Sequence, residues 1–449
     1  MLHRWGLGHP DTMTSSAIKF LFDLELFGIK LGLENIRALC EFLGNLHNRY
    51  PVVHIAGTNG KGSTAAILES ILLAAGHRVG LYTSPHLVRF NERVRVNREE
   101  MPDAFIADFV ARVRPEIEKH KATFFEAATA LAFQYFSDRK VDIAIVETGL
   151  GGRLDATNVV SPVLSVITNI DKDHTDRLGK SFSKIAFEKA GIIKPERPVV
   201  VGNLKSAAFR VVAETAERKG APLTVAAEHT PVKLLKSDWS GSRFRVAEDF
   251  SPSGELFLNL AGRYQGENLS VALAAVELLR QHRFSIPPES CEAGARSVFW
   301  PARLEMISKE PPVILDVAHN AAAAARLAGS LRRLWSGKVV FVLGILADKD
   351  YHRFLLALKP SAKYFYFVRP DSKRALEPGI LSKTIGDNVP HEIVERPADA
   401  LWKAYALLEP GELLAVTGSH YVVGEILEAW RTSGREYPFV REQEPVILG

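Results

Sequence analysis

The chain has 449 residues, with Lys+Arg 56 against Asp+Glu 52 for a formal net charge of +4, 47% hydrophobic and 24% charged. Those proportions exclude a long disordered chain, a collagen-like repeat and a disulfide scaffold, and at about 150 residues per domain the length suggests two or three domains. No Lys/Arg block reaches the density of a nucleic-acid tail, and no apolar run approaches the ~18 residues of a membrane span.

Residues 1–16 lack the apolar centre of a secretory signal. Cys40 and Cys291 lie far apart with no CxxC or zinc spacing. The expectation is a cytoplasmic protein with reduced thiols and neither a nucleic-acid nor a membrane partner.

In chain order, strands are expected at Val52–Ile55, Val79–Tyr82, Val141–Val146, Val163–Thr168 and Pro198–Val201. Helices are expected at Ser63–Ala75 and Phe125–Phe136, where Ala, Leu and Phe recur at helical spacing. Largely apolar strands alternating with helices describe a parallel sheet covered on both faces. From Val232 to Leu260, apolar and polar residues alternate between the turns Ser240–Gly241 and Pro252–Gly254, which reads as a small antiparallel meander. A helix follows over Asn268–Arg280.

After Trp300–Pro301 the alternation restarts. Strands are expected at Val313–Val317, Val339–Leu343, Tyr364–Val368 and Leu413–Val416, with helices at Ala321–Leu334, Arg353–Leu358, Ala398–Leu407 and Val422–Trp430. The fold class is α/β. It comprises an N-terminal domain with the β meander (residues 1–298), which the Gly-rich segment from Gly57 to Ser63 marks as P-loop-type and mononucleotide-binding, and a smaller C-terminal Rossmann-like doubly wound α/β domain (residues 299–449).

The strongest local signal is His54-Ile-Ala-Gly57-Thr-Asn-Gly60-Lys61-Gly62-Ser63-Thr64, a strand running through a Gly-rich turn into a helix. Glycines let backbone N–H groups curl around phosphate, the helix N-terminus favours anions, and the Lys adds a mobile positive charge. It departs from a Walker A loop, because Ile55 stands where the first glycine belongs and Gly62 separates Lys61 from Ser63.

Glu147, directly after a strand, sits where a carboxylate facing Mg²⁺-bound phosphate is expected. Thr168-Asn169-Ile-Asp171-Lys-Asp173-His174 ends another strand, and His174 is a candidate metal or phosphate contact. Glu188-Lys189-Ala-Gly191 reads, taken alone, as a solvated ion pair before a Gly C-cap. In the second domain Arg303-Leu-Glu305, Asp316-Val-Ala-His319-Asn320, Asp348-Lys349-Asp350 and Gly418-Ser419-His420-Tyr421 carry polar groups near strand ends, and Asn320 and Asp350 read as helix N-caps. No GxSxG elbow, HExxH or cysteine-nucleophile context is present, which removes acyl-enzyme and zinc-hydrolase chemistry.

Six segments in order, AGTNGKGS at Ala56–Ser63, TSPHL at Thr83–Leu87, GLGGRLDATN at Gly149–Asn158, DH at Asp173–His174, EKAGI at Glu188–Ile192 and DVAHN at Asp316–Asn320, together resemble the folylpolyglutamate synthase/dihydrofolate synthase family, the folate branch of the Mur ligases. The resemblance runs from about Gly32 to Tyr421. It implies an ATP- and Mg²⁺-dependent amide ligase that joins L-glutamate to a reduced folate through an acyl phosphate, and also to dihydropteroate. It further implies Thr58, Asn59, Gly60, Lys61, Gly62, Ser63, Asn268, Arg303, Asp316 and His319 for ATP, and Ser84, Glu147 and His174 for two Mg²⁺ sites. Lys189 would be a CO2-derived carbamate and a further metal ligand, with Lys61, Lys189 and His174 catalytic. Lys30, Glu126, Arg153, Asp155 and Ser419 are the implied substrate contacts.

The chain departs from the family pattern in four places. The usual PGR reads Pro301-Ala302-Arg303, the usual proline after AHN is Ala321, the GSLY-like segment reads Gly418-Ser-His420-Tyr421, and Lys30 stands where members using dihydropteroate often carry Asp. The expectation is a monomer. The competing readings are a folylpolyglutamate synthase alone, a peptidoglycan-precursor ligase, and an NTP-driven switch or nucleic-acid motor.

Overall fold

Val52–Ala56 is buried along its whole length, so it must be covered on both faces and paired on both edges. A computed structural model of the chain, describing residues 12–24, 28, 30 and 32–437, meets both demands. It divides into two compact units, one ending at Trp300 and one beginning at Pro301.

In the first unit the strands are β1 (Val52–Ala56), β2 (Val79–Tyr82), β3 (Val94–Val96), β4 (Glu99–Glu100), β5 (Ile143–Glu147), β6 (Leu164–Ile167), β7 (Val199–Val201) and β8 (Leu223–Val225). They form one sheet in the order β4-β3-β2-β5-β1-β6-β7-β8, parallel except for the β2–β3–β4 edge ribbon. β1 lies between β5 and β6, with Ile55 opposite Glu147 and Ala56 opposite Ile167. The residues following these three strands therefore meet at one carboxyl edge, where the strand order reverses direction and α/β sheets hold ligands.

Phe109, Phe133 and Phe136 fill the core on one face, under the helices Asp103–His120 and Phe124–Asp138. Leu68, Leu269 and Phe244 pack the other face, which is covered by the helices Lys61–Ala74 and Gln265–Gln281 and by the meander β9 (Lys233–Asp238), β10 (Gly241–Arg245) and β11 (Glu255–Leu258). The helix Lys61–Ala74 stops where Gly76, at φ +85°, lets the Gly76 and His77 amides close on the carbonyls of Leu73 and Leu72. Helices Glu34–Phe42, Asp103–His120 and Ser206–Arg218 lie outside the expected elements.

The second unit holds β12 (Glu305–Lys309), β13 (Pro312–Leu315), β14 (Val339–Leu343), β15 (Ala362–Val368), β16 (His391–Val394) and β17 (Leu413–Thr417), in the order β12-β13-β17-β14-β15-β16. Only β12 runs antiparallel to its neighbour. Asn320 and Asp350 cap helices by accepting the Ala323 and Arg353 amides at 2.9 and 3.1 Å, as read from the sequence. Among the described residues no helix is long and apolar enough to cross a membrane.

Ala321 opens the helix Ala321–Leu334, and Asn320 before it is extended at φ −138°, ψ 164°. That is the backbone that precedes a proline, and a first-position amide has no helical acceptor. Ala321→Pro is expected to stabilise the protein by about 0.4–1 kcal/mol, seen as a rise of a few degrees in melting temperature by calorimetry.

Candidate active site

The segment 57–60 connects β1 to the helix Lys61–Ala74 and is held in place by the polar stretch after β6. Thr58 N donates to Asn169 O at 3.0 Å, and Asn59 N donates to Asn169 Oδ1 at 2.8 Å. Thr58 Oγ1 accepts from Asp171 N at 3.0 Å and donates to Asp171 O at 3.1 Å, while Thr168 Oγ1 donates to Asn59 O at 2.8 Å. No side chain fits at the two loop glycines. A Cβ on Gly57 would lie 1.9 Å from Thr168 Oγ1, and one on Gly60 (φ +83°) would lie 2.3 Å from Asn268 Oδ1.

Asn268 is itself oriented by donating to Gln265 Oε1 at 2.7 Å. Gly62, which breaks the Walker spacing, has a local reason. Its Cβ would come within 2.8 Å of the Trp300 indole.

Three charged side chains converge on this loop. Lys61 Nζ lies 3.3 Å from Thr58 O and 3.6 Å from Glu147 Oε1, and both side chains are shielded from solvent. Lys189 Nζ donates to Gly57 O at 2.7 Å from the last turn of the helix Phe182–Ala190, with the residue only 4% exposed. The solvated Glu188–Lys189 pair read from the sequence is therefore corrected, since the two side chains part company. Glu188 instead binds Arg153, whose Nη2 is 2.9 Å away and whose guanidinium lies 5.4 Å from the Phe187 ring centre. Burial, and then the charge of Lys61, push the Lys189 amine down to about 7, against the opposing pull of Asp173, Asp155 and Glu147.

The glycines of the segment 149–158 let it lie directly on that helix end. A Cβ on Gly152 would be 2.9 Å from the carbonyls of Glu188 and Lys189, and one on Gly191 would be 2.3 Å from Arg153 Cβ. Gly191 sits at φ −61°, so close approach rather than a left-handed cap demands glycine there. Asp155 accepts from Leu150 N at 2.8 Å and from Thr157 N and Oγ1 at 3.0 and 2.5 Å. With its proton committed to Asp155, the Thr157 hydroxyl receives the Nε2–H of buried His54 at 2.8 Å. Burial and Lys194 push His54 down to about 3, so its ring is neutral.

The other expected substrate contacts are also engaged within the protein. Glu126 closes a capping box, accepting from Thr123 N at 2.7 Å and Thr123 Oγ1 at 2.9 Å. Lys30 Nζ donates to Lys121 O at 2.8 Å, which ties its loop to the same turn. Ser419 caps the helix His420–Thr432 through the Val422 amide at 3.2 Å.

Ser84 follows β2 and is half-buried. His174 occupies a left-handed position (φ +47°) before a single helical turn, with Nε2 4.0 Å from Asp173 Oδ1. Among the described residues no group of three or more His, Cys, Asp or Glu could hold a metal ion. Of the expected metal ligands, His174 offers an imidazole nitrogen, whereas Ser84 and Glu147 offer hydroxyl and carboxylate oxygens that suit Mg²⁺, which keeps waters and takes phosphate oxygens rather than filling a protein cage. A buried carboxylate beside the phosphate-loop lysine fits that role.

In the second unit, Arg303 sits between two left-handed residues, Ala302 (φ +55°) and Leu304 (φ +51°). Asp316 fixes the turn by accepting from Leu304 N at 3.0 Å and also accepts from Ala318 N at 2.9 Å. Burial raises the Asp316 carboxyl, while Arg303, those amides and His319 pull it down. His319 donates through Nδ1 to Val317 O at 2.9 Å, and its ring centre lies 5.4 Å from that of His420. Sequence reasoning assigned no role to Asn169, Asp171 or Trp300. The polar run after β6 carried the signal for the first two, and nothing local marked Trp300.

Comparison with known proteins fits this arrangement. Residues 55–276 match the Mur ligase middle domain, and residues 302–420 match the Mur ligase glutamate ligase domain. The folylpolyglutamate synthase of Lacticaseibacillus casei is 36% identical over 403 residues, covering 87% of this chain and 92% of that protein. The chain belongs to the folylpolyglutamate synthase/dihydrofolate synthase family.

The dihydrofolate synthase/folylpolyglutamate synthase of Bacillus subtilis is 35% identical, covering 89% of this chain and 95% of that protein. A Haloferax volcanii protein named as a probable bifunctional folylpolyglutamate synthase/dihydropteroate synthase is 37% identical, but the chain spans only 50% of it. The crystal structure of Mycobacterium tuberculosis folylpolyglutamate synthase with ADP and AMPPCP superposes with a TM-score of 0.85 at 30% identity, covering 95% of this chain and all of that one. A family structure described with Mn, AMPPNP and L-glutamate bound gives a TM-score of 0.81 at 32% identity, covering 94% of this chain and 100% of its own.

Within the family pattern, Ala302 replaces the usual glycine at a left-handed position. Alanine there costs about 1–2 kcal/mol, partly offset by the greater freedom of glycine in the unfolded chain. Ala302→Gly is expected to stabilise the protein by about 0.5–1 kcal/mol, measured by chemical denaturation with an unchanged m-value.

Proposed function

We propose that this protein is an ATP-dependent ligase that adds L-glutamate to tetrahydrofolates and also joins it to dihydropteroate. The observation that carries the reading is the convergence of Lys61, Glu147 and Lys189 on a backbone loop at the carboxyl end of β1.

A bare carboxylate cannot acylate an amine, because its leaving group would be oxide. The substrate carboxylate attacks the γ-phosphorus of ATP, ADP departs, and an acyl phosphate forms. The α-amine of L-glutamate then attacks the acyl carbon, phosphate leaves and an amide remains. No enzyme nucleophile is needed, consistent with the motifs missing from the sequence. The task is to position the reactants and neutralise their charge.

The amides of Lys61, Gly62 and Ser63 open a helix and have no acceptor within it, so they face the phosphates, and Lys61 Nζ balances the transferred phosphoryl charge. Thr58 and Asn59, whose amides bind Asn169, shape the loop instead, and Asn268 backs it. In the second unit, the family resemblance assigns Arg303, Asp316 and His319 to the nucleotide.

Ser84, Glu147 and His174 would hold Mg²⁺, which when bound neutralises phosphate charge. The Lys189 amine, lowered to about 7, is in good part neutral at physiological pH. The neutral amine would add to CO2 and release one proton, giving an anionic carbamate whose oxygens would join Ser84, Glu147 and His174 in holding Mg²⁺. Arg153, Asp155 and Glu126 act as supports of the substrate region rather than direct contacts, since each is committed to a protein partner.

The deciding assay is ATP-dependent incorporation of labelled L-glutamate, run in parallel with dihydropteroate and with a tetrahydrofolate. Incorporation with both is expected; incorporation with tetrahydrofolate alone would leave a dedicated polyglutamate synthase, with the loop around Lys30 as the filter. Lys61→Ala is expected to lower turnover by at least about a thousandfold with an unchanged melting temperature, and near-normal incorporation would remove Lys61 from phosphate handling. Lys189→Ala is expected to lose activity that added formate or acetate partly restores, and a wild-type rate would exclude the carbamate.

A further inference from the structure

The turn that carries Arg303 is held by Asp316, by Glu305 and by the Val317 amide on Ala302 O, and Glu305 is held in turn by a residue far along the chain. Leu304 N is bound by Asp316, and Ala302 N donates to Glu305 Oε2 at 2.7 Å. The other oxygen of the Glu305 carboxylate accepts the hydroxyl proton of Tyr437. Glu305 is buried, at 7% exposure. Burial raises its carboxyl, while the Tyr437 hydroxyl, the Ala302 amide and Arg431 hold it down. Tyr437 also lies against Arg431, whose guanidinium is 5.2 Å from the ring centre.

The need for such a clamp comes from the backbone. Two non-glycine residues in the left-handed region, one on each side of Arg303, make the turn costly unless its amides are fixed. Asp316 fixes one end and Glu305 the other. A buried carboxylate that lost a partner would pull away toward water or take up a proton, and Ala302 would lose its acceptor.

We propose that Tyr437 is a positioning residue for the nucleotide-dependent step, acting through Glu305 to fix the Ala302–Leu304 turn and so aim the Arg303 guanidinium. Tyr437 touches no substrate. The inference rests on the reading of Arg303 as part of the ATP site, and the test separates the two.

The experiment measures KM for ATP, kcat and the Kd for ADP by calorimetry in the full chain for wild type, Tyr437→Phe, Glu305→Gln, the double variant and Arg303→Ala. Tyr437→Phe is expected to raise both KM for ATP and the Kd for ADP about five- to tenfold, with kcat and the KM for L-glutamate within about twofold of wild type. A merely structural role would instead lower the folded fraction and leave both constants unmoved. Adding Glu305→Gln to Tyr437→Phe is expected to bring both back to within about twofold of wild type, because a neutral amide still accepts from Ala302 N and buries no uncompensated charge. If Arg303→Ala weakens ADP binding and Tyr437→Phe does not, the proposal is overturned while the reading of Arg303 stands. If Arg303→Ala leaves ADP binding intact, the reading of Arg303 fails and the proposal falls with it. Should Tyr437→Phe prove unstable, Glu305→Ala decides: a KM for ATP and a Kd for ADP raised as far as in Arg303→Ala support the clamp, and unchanged constants in a folded Glu305→Ala overturn it.

Discussion

Everything at the candidate site depends on how the loop 57–60 is held. Such a loop carries amides that point at a ligand, and amides aimed outward cannot also stabilise the chain that bears them. The structure separates the two duties. Thr58 and Asn59 turn their amides inward onto Asn169, Lys189 secures the carbonyl of Gly57, and the first-turn amides of the following helix have no acceptor within it. The buried lysine of lowered basicity is thus also a structural tie. A charge change at Lys189 would alter both the electrostatics and the seat of the loop.

The same economy of space explains the glycines. Those at 152 and 191 are set by the approach of two backbones, and Gly62 by an indole against the helix. Side chains expected at the substrate also have partners within the protein. Glu126 and Asp155 organise helix and turn starts, and Arg153 pins the 149–158 segment to the helix that carries Lys189. This region is therefore a framework of satisfied polar groups, which is what preorganised electrostatics requires.

Much of this was legible in the sequence because it is local. The strands after which Gly57, Thr148 and Thr168 follow are short, apolar and β-branched, and the Gly-rich turn could be read directly. The meander showed its alternation, and Asn320 and Asp350 showed their capping roles. The features that escaped were long-range or masked. The helix Asp103–His120 buries Ile106, Phe109, Val110, Val113 and Ile117 at helical spacing, yet Pro115 and its charged face obscure the pattern. Lys189 beside Glu188 looks like a surface pair, because sequence spacing cannot say which side chain a neighbouring loop will cover. The Trp300 contact with Gly62 joins residues that no periodicity connects.

The wiring of the loop also bears on how the protein is made. Gly57 and Lys61 are synthesised early, but the groups that shape their loop come much later: Asp171 lies 113 positions beyond Thr58, Lys189 lies 132 beyond Gly57, and Asn268 comes later still. β1 itself is central and has neither sheet neighbour until β5 and β6 have emerged. During translation the Gly-rich segment is therefore an unstructured, apolar-flanked stretch that waits for nearly the whole first unit, a slow non-local closure during which nascent chains are exposed to chaperones and to one another.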